Sequence, residues 1–450
     1  MTDTIAAPAT AAGQAAIAIV RLSGPQAHAV FFRLFRPRRP QDRPPRPMQL
    51  LRGTVISATG EPLDDALGTI MRAPHSYTGE DMAEFQVHGS PAVVAELLDA
   101  CLRAGARLAA PGEFTRRAVL NGRMDLARAE AVADLIAAQT AASRRAALRQ
   151  LDGDLSAAIE TVRSRLLDLA AHIEANLDFP EEEIPATDSA RWLEVVCAAR
   201  NDCLHLLDSY KRGRWARSGV RVVIAGAPNA GKSSLFNALV GRERAIVTPH
   251  PGTTRDTIES TVDMAGIAVT LVDTAGLRED ADMIEQLGIQ RTAEALATAD
   301  MILHVIDSSS SLPPMPLPVI PEGIPVIRVM NKCDLPHDTP PANCKADMNT
   351  VFTSTVTRSG LGNLEKLVSN HFACEPEPGE VVVTSARHAA CLEAAINSLG
   401  HATEALAAGL SGDLVMVDLR GALRSLGEIT GNGASEEILD RVFSNFCIGK

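Results

Sequence analysis

The sequence predicts a multidomain chain of α/β and all-α parts, with one α/β domain inserted into a helical domain and a smaller α/β domain ahead of both. Three observations predict this. Residues 1–120 mix short apolar runs with Gly/Pro punctuation. From Leu126 to Lys211 the chain is rich in Ala, Leu and Arg at helical spacing, and that texture resumes after residue 380. Between the two, apolar strands alternate with helical stretches, as in a doubly wound domain. A length of 450 residues fits roughly three domains.

Taken in order, Ala16–Val20 and Ala66–Met71 are the first strand candidates. Arg33-Leu34-Phe35-Arg36-Pro37-Arg38-Arg39-Pro40, continuing to Arg43 and Arg46, is a basic segment whose prolines predict a solvated loop. An RNA-contacting loop is the alternative. Leu148, Leu151, Leu155, Ile159, Val162, Leu166 and Leu169 recur at steps of three or four and predict one long amphipathic helix. Phe179-Pro180-Glu181-Glu182-Glu183-Ile184-Pro185 breaks the pattern. Val220–Ala225 is a strand running into Gly226, and Pro376-Glu377-Pro378-Gly379 reads as a linker. Helices are expected at Arg387–Ala408 and Leu414–Leu426. The predicted bounds are 1–121 and the helical 122–217, then the inserted 218–375, then 376–450.

Composition narrows the classes. An aromatic share of 3% against 46% apolar residues favours helices over an aromatic-rich sandwich. No apolar run reaches 18 residues, so no membrane span is expected. The first residues lack the basic start of a signal peptide. The 8 cysteines contain no Cys-x-x-Cys pair, which points away from zinc and disulfides and toward the cytoplasm. A net charge of −12 excludes a general nucleic-acid binder, though not one local RNA patch.

Gly226-Ala227-Pro228-Asn229-Ala230-Gly231-Lys232-Ser233 matches the phosphate-binding loop G-x-x-x-x-G-K-[ST] between a strand and a helix. Its glycines let backbone N–H groups curl around phosphates. Lys232 would reach the β- and γ-phosphates, Ser233 would ligate Mg²⁺, and the helix from Ser234 points its positive end at them. Asp273-Thr274-Ala275-Gly276 follows the strand Ile267–Val272, where Asp273 would hold Mg²⁺ through water and Gly276 would sense the γ-phosphate. Asn331-Lys332-Cys333-Asp334 follows Val326–Met330. A carboxylate there accepts from N1–H and the 2-amino group of guanine, which adenine cannot offer, so the nucleotide is GTP. Gly252-Thr253-Thr254-Arg255-Asp256 lies where a switch loop supplies a second Mg²⁺ ligand.

The position after Gly276, often a water-orienting Gln, is Leu277. Hydrolysis is therefore slow or uses another group, and Arg278 and Glu285 lie a few residues on. The Asn229 amide oxygen could hold a monovalent cation against the phosphates. Ordinary loop residues remain the alternative for all three.

At this point the chain resembles the MnmE (TrmE) family of tRNA modification GTPases over essentially its whole length. The resemblance rests on Arg21-Leu22-Ser23-Gly24, Tyr77-Thr78-Gly79-Glu80-Asp81, Val87-His88-Gly89, Pro111–Ala118 and Asn121–Leu126. The P-loop, the switch loop and the ending Phe446-Cys447-Ile448-Gly449-Lys450 extend it. It implies an N-terminal folate-binding and dimerisation domain, and a Ras-like doubly wound P-loop GTPase domain inserted in the helical one. By resemblance Asn229, Thr248, His250 and Thr253 form a K⁺ site, Ser233 and Thr254 hold Mg²⁺, and Glu285 helps position the attacking water. The GTP site spans Asn229–Ser234, Thr248, Thr253, Thr254, Asp273–Gly276, Asn331, Lys332 and Asp334. Catalytic roles fall to Glu285, Lys232 and Arg278. Arg21, Glu84, Arg123 and Lys450 match positions binding 5,10-methylene-tetrahydrofolate or its 5-formyl analogue. Cys447 matches a cysteine with a proposed chemical role, and a buried structural cysteine is the competing reading. Arg123 stands where many relatives carry Lys, and Ser354-Thr355 stands in for the usual Ser-Ala turn at guanine O6.

The resemblance further implies a homodimer that joins the FAD-bearing flavoprotein MnmG (GidA) in a heterotetramer. That complex installs a carboxymethylaminomethyl or aminomethyl group at C5 of a tRNA wobble uridine, in a K⁺-stimulated, GTP-consuming reaction. The alternatives are a ribosome-assembly switch that binds RNA without modifying it, and a stand-alone folate enzyme with a regulatory G domain that turns over without a partner.

Overall fold

The computed structural model describes residues 3–39, 45–178, 186–242, 258–274, 294–310, 320, 323–335, 349–372, 380–444 and 446–450. These divide into two compact units. The first is Met1–Ala133, Leu151–Arg163 and Leu423–Lys450; the second is Asp134–Gln150 and Ser164–Ala422.

The first unit is built on a seven-stranded sheet of β1 (Ile5–Pro8), β2 (Ala15–Ser23), β3 (Phe35–Pro37), β4 (Leu51–Ile56), β5 (Pro62–Met71), β6 (Met82–Gly89) and β7 (Arg107–Leu108). Its order is β3-β4-β5-β6-β2-β1-β7, antiparallel except for the β1–β7 pair. Helices α1 (Ala27–Leu34) and α2 (Pro91–Arg103) bury Val30, Phe31, Leu34, Leu97 and Cys101 against one face. Phe31 stacks on Phe35 and packs at a tilt against Phe85, each at a centroid distance of 4.9 Å. Gly68 on β5 makes room for it, since a Cβ there would lie 2.6 Å from the Phe31 ring. A second cluster of Ile5, Ala7, Met82, Ala109 and Phe114 brings in α3 (Glu113–Leu120). Helix α4 (Leu126–Ala137) joins the last helix of the chain, Glu436–Phe443, through Leu126, Val132, Leu439, Phe443 and Phe446.

Two expectations fail, one in this unit and one in helices that run through both. The basic segment is not one loop: Arg33 closes α1, and Phe35–Pro37 forms β3, paired to β4. The prolines are tolerated because β3 is an edge strand and Pro37 ends it. Residues 40–44 of that segment lie outside the described residues. The expected single long helix is two, α5 (Ala141–Asp152) and α6 (Asp154–Asp178). Gly153, at φ +102°, separates them in a conformation that breaks helical hydrogen bonding without a Cβ penalty. Leu155, Ile159, Val162, Leu166 and Leu169 are buried on α6 as their spacing requires.

In the second unit, α7 (Ala186–Ser218) packs along α10 (Ala386–Ala407). Val196, Ala199, Cys203 and Leu206 face inward on α7, and Leu392, Ala395, Leu399 and Ala402 on α10, each at steps of three or four. Helix α11 (Gly412–Thr430) follows and runs into the first unit, whose last helix, Glu436–Phe443, is α12. The six-stranded sheet contains β8 (Val220–Gly226), β9 (Ile258–Met264), β10 (Ile267–Asp273), β11 (Met301–Asp307), β12 (Val326–Asn331) and β13 (Thr350–Phe352). Its order is β13-β12-β11-β8-β10-β9, parallel except for the β9–β10 hairpin. Val222 and Ile224 face one core, with α8 (Lys232–Arg242) and α9 (Leu361–His371), and Val223 and Ala225 face another. Burial on both faces is what a doubly wound parallel sheet requires of its central strand. The breaking segment 179–185 and the linker 376–379 lie outside the described residues.

Candidate nucleotide and anion sites

The loop between β8 and α8 is fixed by glycine geometry. Gly226 has φ +149°, and a Cβ on it would lie 2.2 Å from the Val305 carbonyl oxygen. Gly231 has φ +95°, and its Cβ would fall 2.3 Å from Asn331 Nδ2. Asn229 between them takes a left-handed φ of 62°, a conformation asparagine tolerates better than most residues. Pro228 and Asn229 are exposed. Lys232 is largely buried and donates from Nζ to the Ala227 carbonyl at 2.8 Å, so its ammonium is held over the mouth of the loop. Ser233 and Ser234 stand exposed in the first turn of α8.

Two strand ends approach this loop. Asp273 closes β10 at 1% exposure, and Thr274 donates from Oγ1 to the Ile224 carbonyl at 2.8 Å. Asn331 closes β12, also 1% exposed, and its Nδ2 donates to the Ala230 carbonyl at 3.0 Å. Thr353 Oγ1 donates to Asn331 Oδ1 at 3.3 Å, and Ser308 Oγ to the Asn331 carbonyl at 2.7 Å. Lys332, at φ 64°, pairs with Asp307 at 2.6 Å. Burial alone would raise the Asp307 pKa, but Lys332 and Ser309 hold it below the usual carboxylate value. Asp334 remains exposed, free to face a base. Ser354 is fully buried just after β13; its Oγ accepts from Thr357 N at 3.1 Å, and the adjoining Thr353 carbonyl accepts from Cys333 N at 3.2 Å. The Ser354-Thr355 turn thus lies beside the base loop.

The residues named for folate occupy the first unit. Arg21 on β2 donates from Nε to Glu84 on β6 at 2.8 Å, a cross-strand pair in register. Its guanidinium lies 5.8 Å from the ring centroids of both Tyr77 and Phe114. Lys450 is drawn in by its carbonyl, which accepts from Phe114 N at 3.2 Å, and by the Cys447 carbonyl, which accepts from Gly112 N at 3.3 Å. Gly449, at φ +94°, permits this path, since a Cβ there would sit 1.9 Å from the Pro8 carbonyl oxygen. Burial first, and then the Arg21 charge, hold the Lys450 ammonium below its usual pKa, with Cys447 and Glu84 opposing. Arg123 is exposed, its stem 3.1 Å from where a Gly79 Cβ would be. Cys447 is exposed, which overturns the buried-cysteine reading: the tail is anchored by its backbone and by Phe446, leaving the thiol outside.

A family model described as the GTP-binding protein TrmE N-terminus matches residues 4–123, and one described as the MnmE helical domain matches residues 126–447. The chain belongs to the MnmE family. The tRNA modification GTPase MnmE of Chloroflexus aurantiacus is 46% identical over 458 residues, covering 100% of both chains. That of Symbiobacterium thermophilum is 45% identical over 461 residues, covering 100% of this chain and 99% of its own. That of Thermus thermophilus is 43% identical over 450 residues, with the same coverage.

Seen as a member of the MnmE family, the chain divides its named residues unevenly. The P-loop, Asp273, Thr274 and the Asn331–Asp334 loop converge at one end of the second sheet. Thr248, His250, Thr253, Thr254, Ala275, Gly276, Leu277, Arg278 and Glu285 lie outside the described residues. Sequence reading missed Asp307, whose parallel register opposite Asn331 places it to steady Lys332. An acidic residue ending an apolar strand was the available signal. It also missed Glu80 and Arg117. Arg117 is fully buried and donates to Glu80 at 3.0 Å, Glu113 at 2.9 Å and Asp3 at 2.9 Å. Glu80 also accepts from Ser23 Oγ at 2.8 Å, and Asn121 Nδ2 donates to the Thr78 carbonyl at 2.7 Å. These bonds hold the 77–81 loop beside Arg21. Among the described residues no group of His, Cys, Asp and Glu forms a metal cage, and no helix is long and apolar enough to cross a membrane.

Proposed function

We propose that this chain is a K⁺-stimulated GTPase that acts on tRNA. With a flavoprotein partner of the MnmG type carrying FAD, it adds a carboxymethylaminomethyl or aminomethyl group to C5 of the wobble uridine. The observation that carries the reading is the Asn331–Ala230 hydrogen bond, which makes the phosphate loop and the base-reading loop one site, with Asp334 exposed beside it. The named relatives are each called a tRNA modification GTPase.

The residues present suit the groups this function requires. The glycine cradle at 226 and 231 has no room for a Cβ, and the α8 N-terminus supplies backbone N–H groups to phosphates. Ser233 and Thr254 would hold Mg²⁺, with Asp273 acting through water. Asn229, Thr248, His250 and Thr253 would hold K⁺, which supplies positive charge where an arginine finger otherwise would. Glu285 and Arg278 would orient and assist the attacking water. In the first unit, the Glu84 carboxylate can accept from pterin donors, and Arg21, Arg123 and Lys450 can hold a glutamate tail. A 5,10-methylene-tetrahydrofolate there would supply the one-carbon unit. The domain bounds 1–121, 122–217, 218–375 and 376–450, a homodimer, a heterotetramer with the flavoprotein and a cytoplasmic setting complete the proposal.

The test is reconstitution. Unmodified tRNA is incubated with the chain, the flavoprotein, GTP, methylene-tetrahydrofolate and ammonium, in potassium or in sodium. Modified wobble nucleoside and GTP turnover should both rise with potassium. GTP turnover without any nucleoside product would remove the modification reading, and equal turnover in sodium would remove the cation.

A further inference from the structure

The basic stretch found in the sequence is not used by either site above. Strand β3 ends the first sheet, and among the described residues its outer edge carries no partner strand. Phe35 turns inward at 1% exposure, so the pleat turns Arg36 outward. Arg33, in the last turn of α1, and Arg38 and Arg39, just past β3, are exposed as well. Among the described residues none of these four arginines has a carboxylate within ion-pair distance. Elsewhere in the first unit other exposed arginines are paired: Arg52 with Asp65, Arg103 with Asp99, and Arg107 with Asp3. Asp65 is thereby engaged by Arg52, and Asp64 by His88.

Four arginines without an ion pair beside one sheet edge, with Asp65 acting on Arg38 only at longer range, stand out in a chain of net charge −12. Arg33 has a local reason, because a cation suits the carbonyl end of a helix. Charge that protects an edge strand from pairing is a structural reading for the others, although one or two residues suffice for that. Phe32, 44% exposed beside Arg33, adds an aromatic face on which an unpaired base can stack. A lipid surface fits less well. Helix α1 buries Ala27, Val30, Phe31 and Leu34 against the sheet and has no apolar stripe left to insert. Guanidinium groups in a row match the phosphates of a nucleic-acid backbone.

We propose that Arg33, Arg36, Arg38 and Arg39 form a backbone-contacting surface for the tRNA substrate, which rests on the functional reading above. The contact positions the RNA and reads no sequence. The experiment measures binding of an unmodified tRNA transcript to the full chain across a salt series. It compares wild type, the triple variant Arg36→Ala/Arg38→Ala/Arg39→Ala, the corresponding triple Lys variant, and Arg103→Ala as a paired-arginine control. The alanine triple should bind about tenfold or more weakly at ~0.1 M salt, with a log–log salt slope shallower by about three. The lysine triple and Arg103→Ala should keep the wild-type slope, and GTP turnover without RNA should not change in any of them. An unchanged slope in the alanine triple, or a wild-type chain that does not bind tRNA, overturns the proposal. So does a triple variant that self-associates yet binds tRNA normally, or one that loses only binding to phosphatidylglycerol vesicles. Wobble modification restored by the wild-type gene in a deletion strain shows, in each of those cases, that the functional reading stands and only the surface is wrong.

Discussion

Asn331 donates its side-chain amide to the Ala230 carbonyl at 3.0 Å, across 101 positions of sequence. The bond ties the end of β12 to the loop that precedes α8. Because Asn331 is 1% exposed and its other amide atom and carbonyl are engaged by Thr353 and Ser308, it cannot swing away without orphaning buried groups. These bonds therefore set the phosphate and base ends of the nucleotide site relative to each other.

Gly231→Ala should break this arrangement. The residue has φ +95°, and the added Cβ would lie 2.3 Å from Asn331 Nδ2. Both the backbone strain and the clash act on the site. Titration with a fluorescent GTP analogue should show affinity reduced by more than tenfold, with Nδ2 no longer held on Ala230.

Base selection should reside in Asp334, which is exposed beside the loop. Asp334→Asn replaces one of the two carboxylate acceptors with an amide donor, so guanine N1–H and the 2-amino group can no longer both be accepted. Two charge-assisted hydrogen bonds correspond to a loss of about 100-fold in GTP affinity. Xanthosine triphosphate, which presents an acceptor in place of the amino group, should gain. Competition binding with the two nucleotides reads both changes.

How much of this was legible beforehand depends on what each residue type announces. The P-loop and the Asn331–Asp334 loop are short motifs with fixed spacing, so they could be read directly. Strands β8, β10 and β12 each run one residue past their expected ends. Gly226, Asp273 and Asn331 still belong to the ladder while serving the site. The α5–α6 break was hidden because Leu151 and Leu155 keep helical spacing across Gly153. Arg117 was visible only as part of the Pro111–Ala118 stretch, and its role was not: an arginine is ordinarily exposed, and only the assembled unit shows it buried among Asp3, Glu80 and Glu113.

That buried network makes the first unit acid-sensitive. Burial alone would raise the Glu113 pKa, but the Arg107 hydrogen bonds, the Ala110 N–H and Arg117 outweigh it and bring it from 4.5 to about 2. A carboxyl depressed in the fold contributes its full stability above its ordinary pKa and loses it as pH falls through the folded value. Unfolding free energy of the chain should fall as pH drops from about 4.5 to about 2. In Glu113→Gln that slope should flatten. Stability at neutral pH should also drop, on the order of 3 kcal/mol, because the fully buried Arg117 loses a partner. Denaturant melts at a series of pH values measure both.

The tail residue Gly449 should matter through geometry rather than chemistry. A Cβ on it would meet the Pro8 carbonyl oxygen at 1.9 Å, and φ is +94°. Gly449→Ala should displace Lys450 from Phe114 and weaken binding of 5-formyl-tetrahydrofolate by tenfold or more, while GTP affinity stays unchanged. Isothermal titration with each ligand separates the two.

The central claim is that this GTP site works for tRNA modification. The most direct measurement is nucleoside analysis of bulk tRNA from a strain lacking the gene, complemented with wild type or with Lys232→Ala. The account predicts that the wobble uridine modification is lost on deletion, restored by wild type and not restored by Lys232→Ala. Full wobble modification in the deletion strain, or restoration by Lys232→Ala, would contradict it.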